Sequence, residues 1–162
     1  MSKIAIVIPA RWASTRLPAK PLLTLAGKPL VRHVWERCSK VRGVDAVIVA
    51  TDDMRIAEAA FEFGAEVAMT SPRHPSGTDR IAEVAKNLVG FDIVLNVQGD
   101  EPFIQPSLVE KLATALREDK KLEMSTAACA LDPADLANPN CVKVVTDLAG
   151  NALYFSRAPI PC

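Results

Sequence analysis

What the chain lacks removes several function classes at once. No apolar run approaches the roughly 18 residues needed to cross a bilayer. Lysine plus arginine (19) balance aspartate plus glutamate (19), leaving a formal net charge of zero. A general nucleic-acid or membrane-surface binder would carry a basic excess, so we expect neither nucleic-acid nor membrane partners. The four cysteines, Cys38, Cys129, Cys141 and Cys162, stand far apart with no C-x-x-C pair. Two histidines, His33 and His74, make no metal-ligand pattern with them. We expect reduced, structural thiols. The opening MSKIAIVIPARW shows no signal-peptide cleavage pattern and runs straight into a strand, so the expected location is cytoplasmic. Neither G-x-x-x-x-G-K-[ST] nor G-x-G-x-x-G occurs, which sets aside the P-loop and the dinucleotide fingerprint.

What is present is a hydrophobic fraction of 49% in 162 residues, enough for one domain with a sizeable core. Strand-like runs cover 4–8, 46–50, 66–69, 93–97, 125–131, 142–146 and 152–155. Helix-like segments cover 30–40, 54–63, 78–88 and 107–118, with apolar residues recurring at three and four positions. The first four strands are short and apolar on both faces, as parallel strands between helices must be. The alternation predicts an α/β fold with a doubly wound, mostly parallel sheet. Runs flanking Asp147–Gly150 predict an antiparallel hairpin near the C-terminus. Pro9 is expected to end the first strand, Asp52 or Asp53 to cap the second helix, and Ser107 with Glu110 to form a capping box on the fourth. The chain stops at RAPIPC directly after the hairpin, so we expect 1–162 to be a single domain incomplete at its C-terminus.

Three segments carry candidate chemistry. After the first strand a proline-braced loop bears Arg11, Arg16 and Lys20. In open α/β sheets ligands bind beyond the carboxyl ends of the strands, and cations there suit a polyanion such as a nucleoside triphosphate. Arginine supplies a planar fork for phosphate oxygens and lysine a mobile point charge. Asn96-Val-Gln98-Gly99-Asp100 follows the fourth strand. Asp100 is a candidate Mg²⁺ carboxylate or a turn residue. Gly99 permits close backbone approach, and Gln98 has donor and acceptor atoms to read a base or a sugar. Ser76-Gly77-Thr78 precede the third helix, where free N–H groups bind ligands or a hydroxyl caps the helix. Arg157 could meet an anionic substrate. Trp12 and Trp35 serve as core or as a stacking face.

Taken together, PARWASTRLPAKPL, VATDD, HPSGTDRIAE, VLNVQGDEPFI, NPNCVKVV and ALYFSRAPIP resemble the 3-deoxy-manno-octulosonate cytidylyltransferase (CMP-KDO synthetase) family, over about the first two-thirds of a typical member. The resemblance implies a nucleotidyltransferase fold and a reaction in which CTP and KDO give CMP-KDO and pyrophosphate with Mg²⁺, for lipopolysaccharide core synthesis. It implies Arg11 and Lys20 as the phosphate-binding pair, Arg16 as a third basic position, and Asp100 as the metal carboxylate, with Arg11, Lys20 and Asp100 the catalytic set. It places Pro9, Ala10, Ser76 and Gly77 around the cytosine, Gln98 and Arg157 near the sugar, and two chains in a homodimer. The family's further sugar residues and second metal carboxylate fall beyond the last residue here, so the chain is expected to bind CTP and turn over poorly. Two rival readings are a CMP-sialic-acid-type synthetase and a non-catalytic CTP-binding module.

Overall fold

The computed structural model describes residues 2–13 and 17–160, which group into two compact units, Met1–Ser125 and Thr126–Cys162. The first contains β1 (Ile4–Ala10), β2 (Thr24–Leu25), β3 (Lys28–Pro29), α1 (Leu30–Cys38), β4 (Ala46–Thr51), α2 (Met54–Glu62), β5 (Glu66–Met69), α3 (Gly77–Asn87), β6 (Ile93–Asn96) and α4 (Pro106–Glu118). The second contains β7 (Lys143–Thr146) and β8 (Ala152–Ser156).

The central sheet has the order β5-β4-β1-β6 with every pairing parallel. The chain steps outward from β1 through β4 to β5, then returns to lay β6 on the other side of β1. That reversal makes the carboxyl end of β1 the topological switch point, where doubly wound sheets open a crevice. The alternation within β1 sorts the core. Ile4, Ile6, Ile8 and Ala10 meet Val31 and Val34 of α1, Ile56 and Ala60 of α2, and Val109 and Ala113 of α4. Val7 faces the opposite way, with Ala50, onto Ile81 and Val84 of α3. β1 is therefore buried on both faces, which is why its sequence is an unbroken apolar run.

Pro9 does not end β1, contrary to expectation: it stays in the sheet, paired with Ala50. The carbonyl of Val7 accepts from Val97 N–H on the β6 side (3.3 Å), so the position two residues on turns to that side as well. The β6 register ends at Val7↔Asn96. Pro9 therefore lacks its N–H where no ladder bond remains to be made.

Other expectations are corrected. Residues 125–131 form no strand, and 126–131 are exposed, with no partner strand to hold them. The fourth helix starts at Pro106 behind Gln105 and has no side-chain cap. The carboxylate of Glu110 instead accepts from the backbone N–H (3.0 Å) and guanidinium of Arg42, which removes the capping box. Asp53, not Asp52, caps α2, accepting from Arg55 N–H at 3.0 Å. The β2–β3 hairpin escaped the sequence reading. Its turn, Ala26-Gly27, has φ of 47° and 79°, the positive pair that a type I′ turn demands, but Ala-Gly is a weak signature for it.

In the second unit β7 and β8 pair antiparallel as expected. Asp147 holds the turn by accepting from Ala149 N–H (2.9 Å) and Asn151 N–H (2.8 Å). The one buried described residue of this unit is Lys143, 4% exposed. Its ammonium donates to three carbonyls, of Asn138 (2.8 Å), Cys141 (2.9 Å) and Arg157 (2.6 Å). Three donors and three acceptors satisfy a charge that burial would otherwise penalise.

Candidate functional site

The candidate site of the first unit lies at the switch point. Arg11 follows β1 directly and is exposed. The loop it opens is closed at its base by the Ala19 N–H, which donates to the Trp12 carbonyl at 3.0 Å. Ala19 takes a left-handed conformation (φ 56°) and hands the chain to a short 3₁₀ turn, Lys20–Leu22. This turn aims Lys20 at the loop after β6, where its ammonium meets the Asp100 carboxylate at 2.5 Å. Both side chains are more than a third exposed, so the pair contributes only about 0–1 kcal/mol and opens readily. The structure thus brings together two of the three residues assigned to catalysis. Arg16 lies outside the described residues.

The residues expected on the nucleotide side meet through glycine. A Cβ on Gly99 would stand 2.8 Å from the Pro9 carbonyl oxygen, closer than such atoms approach. A Cβ on Gly77 would stand 3.2 Å from Pro9 Cγ and 3.6 Å from Gln98 Oε1. Pro9, Gly77, Gln98 and Gly99 therefore form one close-packed patch from three segments. Its tightness comes from two positions without side chains. Ala10 ends β1 beside it and is buried. Gln98 also donates to Asn96 Oδ1 at 2.7 Å.

Ser76 caps α3 as the alternative reading held. Its Oγ accepts from Asp79 N–H at 3.1 Å and donates to Asp79 Oδ2 at 2.5 Å. The preceding loop is tied to α3 by Glu83, whose carboxylate accepts from Ser71 N–H at 2.9 Å and bonds His74. The His74 bond, then the Ser71 N–H, holds the Glu83 carboxyl below the usual range.

The sequence reading missed a buried polar network beneath this patch. Arg80 is 2% exposed, although arginine is almost never buried without partners. Its guanidinium donates to Thr70 Oγ1 and pairs with Asp52 at 3.3 Å. Thr70 in turn donates through Oγ1 to the Thr51 carbonyl at 3.0 Å. The clue in the sequence was position: Arg80 shares an α3 face with the buried Ile81 and Val84, where a charge demands a counter-charge. Trp12 proves to be both core and platform. It packs against the apolar cluster and carries the Arg55 guanidinium 3.2 Å from its ring centroid. Asp53 holds that guanidinium from the side (2.8 and 2.6 Å), which raises the Arg55 pKa and lowers that of Asp53.

Arg157 belongs to the second unit, where its guanidinium donates to the Pro139 carbonyl at 2.8 Å. Among the described residues no group of three or more His, Cys, Asp or Glu side chains forms a metal cage. Asp100, followed directly by Glu101, belongs to no such group. No helix among them is long and apolar enough to cross a membrane.

Comparison with known proteins places this geometry. The chain is 52% identical over 159 residues to a 3-deoxy-manno-octulosonate cytidylyltransferase of Geobacter sulfurreducens, covering 98% of this chain and 63% of that protein. It is 51% identical to the protein so named in Escherichia coli, covering 99% of this chain and 65% of that one. A solved CMP:2-keto-3-deoxy-manno-octonic acid synthetase complexed with CTP superposes with a TM-score of 0.95 at 50% identity, over 99% of this chain and 66% of that structure. The chain thus spans less than two-thirds of the length of the first curated relatives it matches. The family model described as "Cytidylyltransferase" matches residues 5–162, and the chain belongs to that family.

Proposed function

We propose that this chain is the CTP-binding part of an enzyme that joins CTP and 3-deoxy-D-manno-octulosonate to give CMP-KDO and pyrophosphate, in the cytoplasm, for lipopolysaccharide core synthesis. The observation that carries the reading is the meeting of Lys20 and Asp100 at the switch point beside the Pro9–Gly77–Gly99 patch. Its strongest outside support is the likeness to a synthetase solved with CTP.

In the reaction the anomeric hydroxyl oxygen of the sugar forms a bond to the α-phosphorus of CTP, and the bond from that phosphorus to the pyrophosphate oxygen breaks. The hydroxyl proton departs to solvent. No covalent enzyme intermediate is required, so catalysis reduces to positioning and charge neutralisation. Arg11, Lys20 and Arg16 neutralise the triphosphate and the departing pyrophosphate. Pro9, Ala10, Ser76 and Gly77 enclose the cytosine, and Gln98 serves the sugar. Asp100 would hold Mg²⁺. An exposed carboxylate fits that ion, which is commonly bound by one or two carboxylates and completed by substrate phosphates and water, and bound Mg²⁺ would supply charge neutralisation at the phosphates. Lys20 and Asp100 mask each other as they stand; Lys20 would be freed to hold triphosphate oxygens and Asp100 to hold the cation, so each ligand should strengthen binding of the other. We further propose a homodimer. The support for it is the family resemblance alone.

The test is pyrophosphate release from CTP with KDO and, separately, with sialic acid. A chain with the full length of the relatives should turn over KDO only, and the 162-residue form should be slower by about tenfold or more. Equal rates for the two lengths would contradict the division of labour, and turnover of sialic acid would move the chain to that class. A dimer would be read by sedimentation.

A further inference from the structure

The buried Asp52–Arg80–Thr70 network has no part in the chemistry above. Its place in the fold says what it does. Thr51 ends β4 opposite Ala10 of β1, and Asp52 follows at once. Thr70 follows β5 and is bonded to Thr51 twice, by its N–H (2.8 Å) and its hydroxyl (3.0 Å). Arg80 stands one turn into α3, and its own N–H donates to the Ser76 carbonyl at 3.3 Å. One guanidinium therefore ties the carboxyl ends of two strands to the first turn of the helix that lays Gly77 on Pro9. Asp52 Oδ1 is buried with no hydrogen-bond partner among the described residues. Desolvating two charges offsets much of their attraction, so such a pair is a poor device for stability alone. An apolar pair of similar volume would pack the same space at lower cost.

We propose that Asp52 and Arg80 are positioning residues that fix the Ser76–Gly77 turn against Pro9 and so set nucleotide affinity without touching the nucleotide. This rests on the reading of that turn as part of the CTP site.

Arg80→Met alone strands a largely buried carboxylate, 11% exposed, and is expected to fold poorly. The informative variant is therefore Asp52→Leu with Arg80→Met, which removes both charges. Three quantities are read on the 162-residue chain: melting temperature, CTP affinity by calorimetry with Mg²⁺, and hydrogen exchange of the Gly77–Asp79 amides. The double variant should melt at or above the parent, yet bind CTP about tenfold or more weakly and exchange those amides faster, with α2 amides unchanged. Recovery of affinity to within about twofold in a stable double variant would overturn the proposal, because a merely structural pair predicts that recovery. If the parent itself fails to bind CTP, the reading of the nucleotide site falls, while exchange at Gly77–Asp79 still decides whether the pair holds the turn. Unchanged exchange would overturn the positioning role.

Discussion

At the scale of single residues, two atoms of free space decide the site. Gly99 has no room for a methyl group against the Pro9 carbonyl. Gly99→Ala must push two backbones apart, at about 1–3 kcal/mol by analogy with overpacked cores. Thermal unfolding should show that loss, and CTP affinity should fall with it, because the displaced segment carries Asp100. Gly77→Ala meets side-chain atoms alone, the Pro9 ring at 3.2 Å and Gln98 Oε1 at 3.6 Å, and should be milder. Cys38 makes a prediction of another kind. Burial pushes its thiol up to about 12, so it stays protonated and inert in the native protein. Thiol titration at pH 8 should label the exposed Cys129 and spare Cys38 until the chain unfolds. The unfolded thiol ionises near about 8.5. Its contribution to stability is thus complete below that pH and is lost as pH rises toward 12.

At the scale of elements, the caps and ion pairs set the acid limit. The carboxyls of Glu36, Asp53, Glu83, Glu110 and Asp147 are all held below their ordinary values, chiefly by hydrogen bonds from Lys28, Arg55, His74, Arg42 and Asn151 respectively. Each folded value lies below the unfolded one, so each contribution is present above about pH 4 and lost as pH falls through the folded value. Melting temperature should be flat from neutrality to about pH 5 and drop below about 4. Asp53→Ala removes the cap of α2 and the clamp on Arg55, and should cost about 1 kcal/mol, read by denaturant unfolding. Elements were also where the sequence was most legible. β1, β4, β5 and β6 appeared as apolar runs, and the four helices as periodic ones, because burial on both faces or on one stripe writes itself into composition. The residues 125–131 were misread because their alternation of apolar and small residues has a strand's look without a partner strand. The strand through Pro9 was misread because only the register of β6 shows that no N–H was needed there.

At the scale of the whole molecule, the strand order places the site. Reversal at β1 gathers the loops after β1 and β6 and the start of α3 to one edge, and the basic loop, the Gly-Asp turn and the Ser-Gly turn are the segments that sequence motifs had singled out. The Lys20–Asp100 and Gly77–Pro9 approaches were legible as candidates only. Their meeting depends on topology. The Asp52–Arg80 network was not legible, because a single charge on a helix face reads as solvated until its burial is seen. The second unit has an anchor of its own in the buried Lys143.

The central claim is that the edge of this sheet already forms a CTP site in which Lys20 and Asp100 must part. Calorimetric titration of the 162-residue chain with CTP, with and without Mg²⁺ and with ATP as control, tests it most directly. CTP binding should be strengthened by Mg²⁺, ATP binding should be weak, Arg11→Ala should lose about tenfold or more, and Asp100→Asn should lose the Mg²⁺ dependence. Equal affinity for CTP and ATP, or a Mg²⁺ dependence that survives Asp100→Asn, would contradict it.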